Sequence, residues 1–242
     1  VRDERRIAIV AGGAGTIGRA VVQALARDGA RVWVLDRART AEAEKLAERS
    51  GGGFLEADVA RFEDVERAFA DFRKRCDRLD VLVNCAGIAK DARLGRMEPD
   101  DWRNVIDVNL TGSWNVLREA VGLFHESRGG RVVNVASVLA LRGRAGVTNY
   151  AASKAGLLGL TRAASHDLAP LGVTVNAVAP GFVETPMTEG VPAAVKRELL
   201  ERTPTGRWTT PEDVAEVIAF LCSDRARQIN GEVIRVDGGL LS

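Results

Sequence analysis

The chain has 242 residues, 34 basic and 33 acidic side chains, 46% hydrophobic residues and a formal net charge of +1. That length suits one sizeable α/β core, and the near-neutral balance offers no basic footprint for nucleic acid. No apolar run is long enough to span a membrane, and Val1-Arg2-Asp3-Glu4-Arg5-Arg6 is too charged to lead a secretion signal, so a cytoplasmic protein is expected. The three cysteines, Cys76, Cys85 and Cys222, are scattered without metal-ligand spacing, which points to reduced thiols and no metal site.

Ile7-Ala8-Ile9-Val10 reads as a strand ending in Gly12-Gly13-Ala14-Gly15-Thr16-Ile17-Gly18, and an apolar helical pattern follows from Ala20 to Ala26. Strand, glycine turn and helix form the setting of a dinucleotide-binding loop. Glycines let the backbone approach a pyrophosphate, and the helix N-terminus faces its charge. The spacing here is G-x-x-G-x-x-G, not G-x-G-x-x-G. The next strand, Arg31 to Leu35, ends at Asp36. A carboxylate there accepts hydrogen bonds from ribose hydroxyls and repels a 2′-phosphate, favouring NAD(H) over NADP(H). Arg37 follows it and pulls the other way.

Ala41 to Ser50 is an amphipathic helix that Gly51-Gly52-Gly53 breaks, and Phe54 to Ala57 is a strand running into Asp58-Val59. Phe62 to Cys76 repeats apolar residues at 62, 65, 69 and 72, a helix packing one face on a sheet. Asp80 to Asn84 is a buried strand ending in Cys85-Ala86-Gly87. Alternation of this kind predicts a parallel sheet with right-handed crossovers and ligands at the C-terminal strand ends. A polar loop, Ile88 to Pro99, leads into one long helix from Pro99 to about Ser127 that contains Asn109.

Arg131 to Val135 is the next strand and delivers Ala136-Ser137 at its end. Tyr150-Ala151-Ala152-Ser153-Lys154 opens a helix reaching about Pro170, and Tyr150 is the only tyrosine in the chain. Side chains four apart share a helix face, and an ammonium beside a phenol favours the phenolate, so the two make a general acid/base pair. The link Leu141 to Gly146 can fold back to bring Ser137 to Tyr150; a Ser-Lys hydrolase reading lacks the G-x-S-x-G elbow. Val173 to Val178 is a sixth strand ending in Ala179-Pro180-Gly181, and residues 182–204 are expected to form a substrate lid. A helix from Pro211 to Leu221 and a strand from Glu232 to Val236 complete the pattern. The expected architecture is a single-domain α/β protein over 1–242, a Rossmann-type doubly wound parallel sheet of about seven strands with helices on both faces.

These residues together resemble the short-chain dehydrogenase/reductase family along essentially the whole chain. Gly12, Gly15, Thr16, Ile17 and Gly18 fall on its cofactor loop, Asp58-Val59 on its adenine-contacting pair, and Asn84-Cys85-Ala86-Gly87 on its N-N-A-G segment. Asn109, Ser137, Tyr150 and Lys154 match its catalytic tetrad in order and spacing, and Pro180-Gly181-Phe182-Val183-Glu184-Thr185 its nicotinamide-holding segment. Two departures stand out. Ala11 and Thr16 replace the Thr and the middle Gly of T-G-x-x-x-G-x-G, and Cys85 replaces the second Asn of N-N-A-G, with a structural consequence expected.

The resemblance implies hydride transfer between a nicotinamide cofactor and a ketone or secondary alcohol. In it Ser137 holds the substrate oxygen and Tyr150 gives or takes the proton. Lys154 lowers the tyrosine pKa and binds the nicotinamide ribose, while Asn109 holds a water that links Lys154 to solvent. Leu139, Phe182 and Met187 are expected beside Ser137 and Tyr150 in an apolar substrate pocket. Within the family, Gly87 to Asp91 followed by Met97, and Pro180 to Thr188, are most similar to 3-oxoacyl-thioester reductases. That implies a small carbonyl substrate carried as an acyl thioester. The alternative is an NAD-linked dehydrogenase of a hydroxyacyl-CoA, sugar, steroid or simple secondary alcohol. A non-catalytic dinucleotide-binding scaffold is a further alternative, against which the presence of Ser137, Tyr150 and Lys154 counts. Arg128 meets one of the family's two carrier-protein docking positions, but Leu168 to Gly172 offers no arginine for the other. The resemblance also implies a homotetramer, with which the apolar Trp114, Val116, Leu117, Leu240 and Leu241 are compatible.

Overall fold

The computed structural model describes residues 5–127 and 129–242; Val1 to Glu4 and Arg128 lie outside the described residues. The chain alternates strand and helix. β1 (Ile7–Ala11), α1 (Thr16–Arg27), β2 (Arg31–Asp36), α2 (Ala41–Arg49), β3 (Gly51–Glu56), α3 (Phe62–Arg73) and β4 (Val81–Asn84) form the first half. α4 (Pro99–Ile106), α5 (Gly112–Ser127), β5 (Gly130–Val135), α6 (Leu139–Arg142), α7 (Thr148–Asp167), β6 (Val173–Pro180), α8 (Ala193–Glu201), α9 (Pro211–Leu221) and β7 (Val233–Val236) follow. The strands make one parallel sheet in the order β3-β2-β1-β4-β5-β6-β7. This is the doubly wound α/β arrangement expected from the sequence.

Strand alternation divides the core into two layers. Ile7, Ile9 and Ala11 of β1, Trp33 and Leu35 of β2 and Leu82 of β4 pack with Phe69 and Phe72 of α3 and Leu117, Ala120 and Phe124 of α5. Ala8 and Val10, Val32 and Val34, and Val81 and Val83 face the other way, onto Val21 and Val22 of α1 and Ile218 and Leu221 of α9. Successive side chains of a strand point to opposite faces, so near-continuous apolar strands are what a sheet covered on both sides needs. Each fully buried Leu, Ile or Phe of this kind contributes about 1.5–3 kcal/mol.

Three local features differ from the sequence expectation. Gly51-Gly52-Gly53 does not merely end a helix; it begins β3. A Cβ on Gly52 would lie 2.1 Å from the Val32 carbonyl oxygen, and one on Gly53 would lie 2.6 Å from the Trp33 ring. The edge strand therefore lies flush on β2 only with glycine there. The long helix from Pro99 is not continuous: Asp107–Thr111 forms a π-helical turn between α4 and α5, with Asn109 fully buried inside it. The helix that carries Tyr150 starts two residues earlier than expected, at Thr148, and ends at Asp167.

Candidate active site

Chain order reverses between β1 and β4, and the crevice outside their C-terminal ends is where a doubly wound sheet takes its ligand. Gly12 leaves β1 at φ +76°, and a Cβ on it would sit 2.5 Å from the Ala86 backbone nitrogen. A Cβ on Gly18 would lie 2.1 Å from the Gly12 carbonyl oxygen, so these two glycines let the loop fold onto α1 and the β4 end. Gly15 caps α1 without a side chain, so no cap occupies the first-turn N–H groups, and Thr16 and Ile17 of that turn line the crevice. Such a cradle fits a pyrophosphate.

Two cavities continue from it. One, of about 370 Å³, is lined by Asp36, Arg37, Asp58, Val59, Ala86 and Gly87 together with Gly12 and Gly15. The Asp36 carboxylate is held by the Ala14 N–H at 3.1 Å and the Arg37 N–H at 2.8 Å, which fixes it at the edge of this space. Arg19 lines the same cavity and is tied to the Ala14 carbonyl at 2.7 Å and to Glu42 at 3.0 Å. The second, of about 320 Å³, is lined by Thr16, Ile17, Gly18, Ser137, Tyr150, Lys154, Pro180, Gly181, Val183 and Thr185. Asn84 borders neither cavity; its buried amide donates to Asn134 Oδ1 at 2.9 Å and to the Ser113 carbonyl at 3.3 Å. Cys85 borders both, and burial pushes its thiol up to about 12.

A third cavity, of about 390 Å³, meets the second at Ser137, Tyr150, Gly181, Val183 and Met187. Leu139 and Phe182 line it, with Val138, Val147, Val191, Val195, Leu199, Leu240 and Leu241. The residues expected to touch substrate are therefore brought to one place. Phe182 is braced by Trp208, ring centroids 4.6 Å apart.

Tyr150 is partly buried, and burial raises its pKa from 10.0 to about 12, against a downward pull from its hydrogen bond with Ser137. The Lys154 ammonium is 4% exposed, donates to the Val135 carbonyl at 2.8 Å, and lies 5.8 Å from the Tyr150 ring centroid. Burial lowers it from 10.5 to about 8. The expected lowering of the tyrosine pKa by Lys154 is thus not what this arrangement gives: desolvation acts on both groups and pushes them toward their neutral forms.

Asn109 is anchored by the protein itself. Its side chain accepts from the Ile88 N–H at 2.8 Å and donates to the Ile88 carbonyl and to Ser153 Oγ, each at 3.0 Å. It clamps the loop after β4 to α7, and a Cβ on Gly87 would lie 3.3 Å from both Asn109 Oδ1 and Lys154 Nζ. Asn149, not singled out from the sequence, is fully buried beside Tyr150. Its Oδ1 accepts from the Tyr150 N–H at 2.7 Å, and its amide donates to the carbonyls of Lys90 at 3.0 Å and Asp101 at 3.3 Å. The available signal was an Asn in the first turn of a helix, where such side chains bind free backbone groups.

A family model described as "Enoyl-(Acyl carrier protein) reductase" matches residues 12–241. The chain belongs to the short-chain dehydrogenase/reductase family, oxidoreductases that use a nicotinamide dinucleotide. Among curated relatives, the 3-oxoacyl-(acyl-carrier-protein) reductase FabG of Thermotoga maritima is 41% identical over the whole of both chains. The proteins of the same name from Aquifex aeolicus and Vibrio harveyi are 39% and 38% identical, over 99% and 98% of each chain. Among the described residues no helix is long and apolar enough to cross a membrane, and no group of three or more His, Cys, Asp or Glu is placed to hold a metal ion.

Proposed function

We propose that this protein reduces the ketone of a 3-oxoacyl thioester, using Tyr150 as proton donor. The observation that carries this reading is that Ser137 and Tyr150 border both the dinucleotide crevice and the apolar cavity, whereas Lys154 borders only the crevice. When bound, the nicotinamide supplies a hydride to the carbonyl carbon. Ser137 and Tyr150 hold the carbonyl oxygen, and the Tyr150 hydroxyl gives it a proton as charge develops there. Lys154 holds the nicotinamide ribose and returns a proton to the phenol. Asn109 keeps Ile88 and Ser153 in register around them.

The glycine loop holds the pyrophosphate, Asp58 and Val59 border the adenine, and Pro180, Gly181, Val183 and Thr185 hold the nicotinamide end. Residues 182–204, which carry Met187 and α8, close over the substrate as a lid of a single 1–242 domain. The preferred dinucleotide is NAD(H), because the Asp36 carboxylate, held by the Ala14 and Arg37 N–H groups at the end of β2, would accept from a ribose hydroxyl and repel a 2′-phosphate. Arg19 and Arg37 on the same cavity favour NADP(H) as the second reading. A cytoplasmic homotetramer is the assembly proposed, with the half-exposed Trp114 of α5 at a subunit contact.

The test is initial-rate oxidation of NADH and of NADPH with acetoacetyl-CoA and with crotonyl-CoA. Turnover of acetoacetyl-CoA is expected, with NADH preferred. Tyr150→Phe should lower kcat by about 10²–10⁴. Turnover of crotonyl-CoA alone would replace ketone reduction by enoyl reduction. Silence with both thioesters, alongside oxidation of secondary alcohols with NAD, would move the substrate to the alcohol class.

A further inference from the structure

The apolar cavity beside Ser137 and Tyr150 contains three arginines: Arg142, Arg144 and Arg202. Two are neutralised locally. Arg144 pairs with Asp91 at 3.3 Å, and Arg202 with Glu198 at 3.7 Å, and both acids line the same cavity. Arg142, at the end of α6, has no acidic partner among the described residues. The cavity therefore holds one cation in excess, on an exposed residue beside a wall rich in valine and leucine. An arginine beside low-dielectric walls is a strong receptor for a planar anion, because its fork donates two parallel hydrogen bonds.

We infer that Arg142 is a specificity-determining residue that receives an anionic oxygen group carried by the substrate, a carboxylate or a phosphate. The inference rests on the thioester reading for the identity of the rest of the substrate. On a thioester the anion has two sources. It is either a terminal carboxylate on the acyl chain or the phosphate of the pantetheine arm. The short α6 places Arg142 only five residues beyond Ser137, so the anion and the reacting ketone occupy one cavity.

Two ligand pairs titrated calorimetrically into the full chain with its dinucleotide test this. One pair is monomethyl and dimethyl adipate; the other is 4′-phosphopantetheine and pantetheine. The charged member of one pair should bind about tenfold tighter or more, the range of a charge-assisted hydrogen bond. Arg142→Leu should erase that difference and Arg142→Lys should keep most of it. An advantage confined to the adipates puts the anion on the acyl chain, and one confined to the pantetheines puts it on the arm. Equal binding within both pairs, or a difference that survives Arg142→Leu, overturns the inference. Acetoacetyl-CoA turnover reads the thioester proposal separately. A protein that reduces it without charge preference loses only the Arg142 role, and one with charge preference but no thioester turnover loses only the thioester.

Discussion

Replacing Lys154 with Met should inactivate the protein and at the same time stabilise it at neutral pH. The ammonium is 4% exposed, and burial lowers its pKa from 10.5 to about 8. At roughly 1.4 kcal/mol per pH unit, holding that charge inside the fold costs about 3 kcal/mol. Methionine keeps an unbranched stem in the same space but withdraws the donor that reaches the Val135 carbonyl at 2.8 Å, a loss of about 1 kcal/mol. The expected net gain at pH 7 is therefore about 2 kcal/mol. Its pH dependence has a definite sign. Between about 8 and 10.5 the unfolded chain holds the lysine proton and the folded chain does not, so the parent gains stability as pH rises. The advantage of the variant is full below about pH 8 and fades toward 10.5. Tyr150, Cys85 and Cys222, all raised to about 12 by burial, act in the opposite sense above their ordinary values. The quantity to read is thus the difference between variant and parent in urea unfolding at pH 7 and pH 10. A variant less stable than its parent at pH 7, or a difference that ignores pH, would refute the reasoning.

Asn149→Ala should lower kcat by about tenfold or more while leaving dinucleotide affinity, read by fluorescence titration, within about twofold. Asn149→Asp, which keeps an acceptor for the Tyr150 N–H, should recover part of the loss. An unaltered kcat in a folded Asn149→Ala protein would confine the residue to a structural role. Asp36→Ala should weaken NAD(H) binding and relax discrimination against NADP(H). Equal or tighter NAD(H) binding in that variant would remove Asp36 from the ribose site.

What could be read from the sequence was chemistry tied to short-range spacing. Tyr150 and Lys154 meet because four residues make about one helical turn, and Asp36 reaches the crevice because a strand carries it there. The start of β3 at Gly51 could not be read the same way. Its cause is the bulk of Trp33 on the neighbouring strand, which no local pattern around Gly52 records. The π-helical turn at Asn109 is likewise a change of backbone register with little mark in composition. Asn109 was recognised by its resemblance, but its partners, Ile88 and Ser153, lie 21 and 44 residues away in the chain. Burial is the least local property of all. The pKa values of Tyr150 and Lys154 follow from three converging elements, so the sequence pair suggested mutual charge stabilisation where desolvation is the larger effect.

That last difference bears on the proton step at the site. A phenol at about 12 is a neutral hydroxyl throughout the neutral range, ready to donate to a carbonyl oxygen. Lys154 at about 8 is mostly protonated at pH 7 yet gives up its proton far more readily than an exposed lysine. Acid and proton store are therefore both loaded, and the phenolate is the form held back. Forming it at pH 7 costs about 7 kcal/mol in this setting, at roughly 1.4 kcal/mol per pH unit. Ketone reduction starts from the neutral phenol and leaves it as phenolate, and alcohol oxidation runs the same step backwards, so both directions meet that cost. Burial therefore sets how much stabilisation the Lys154 charge and a bound dinucleotide have to give the phenolate, whichever way the reaction runs.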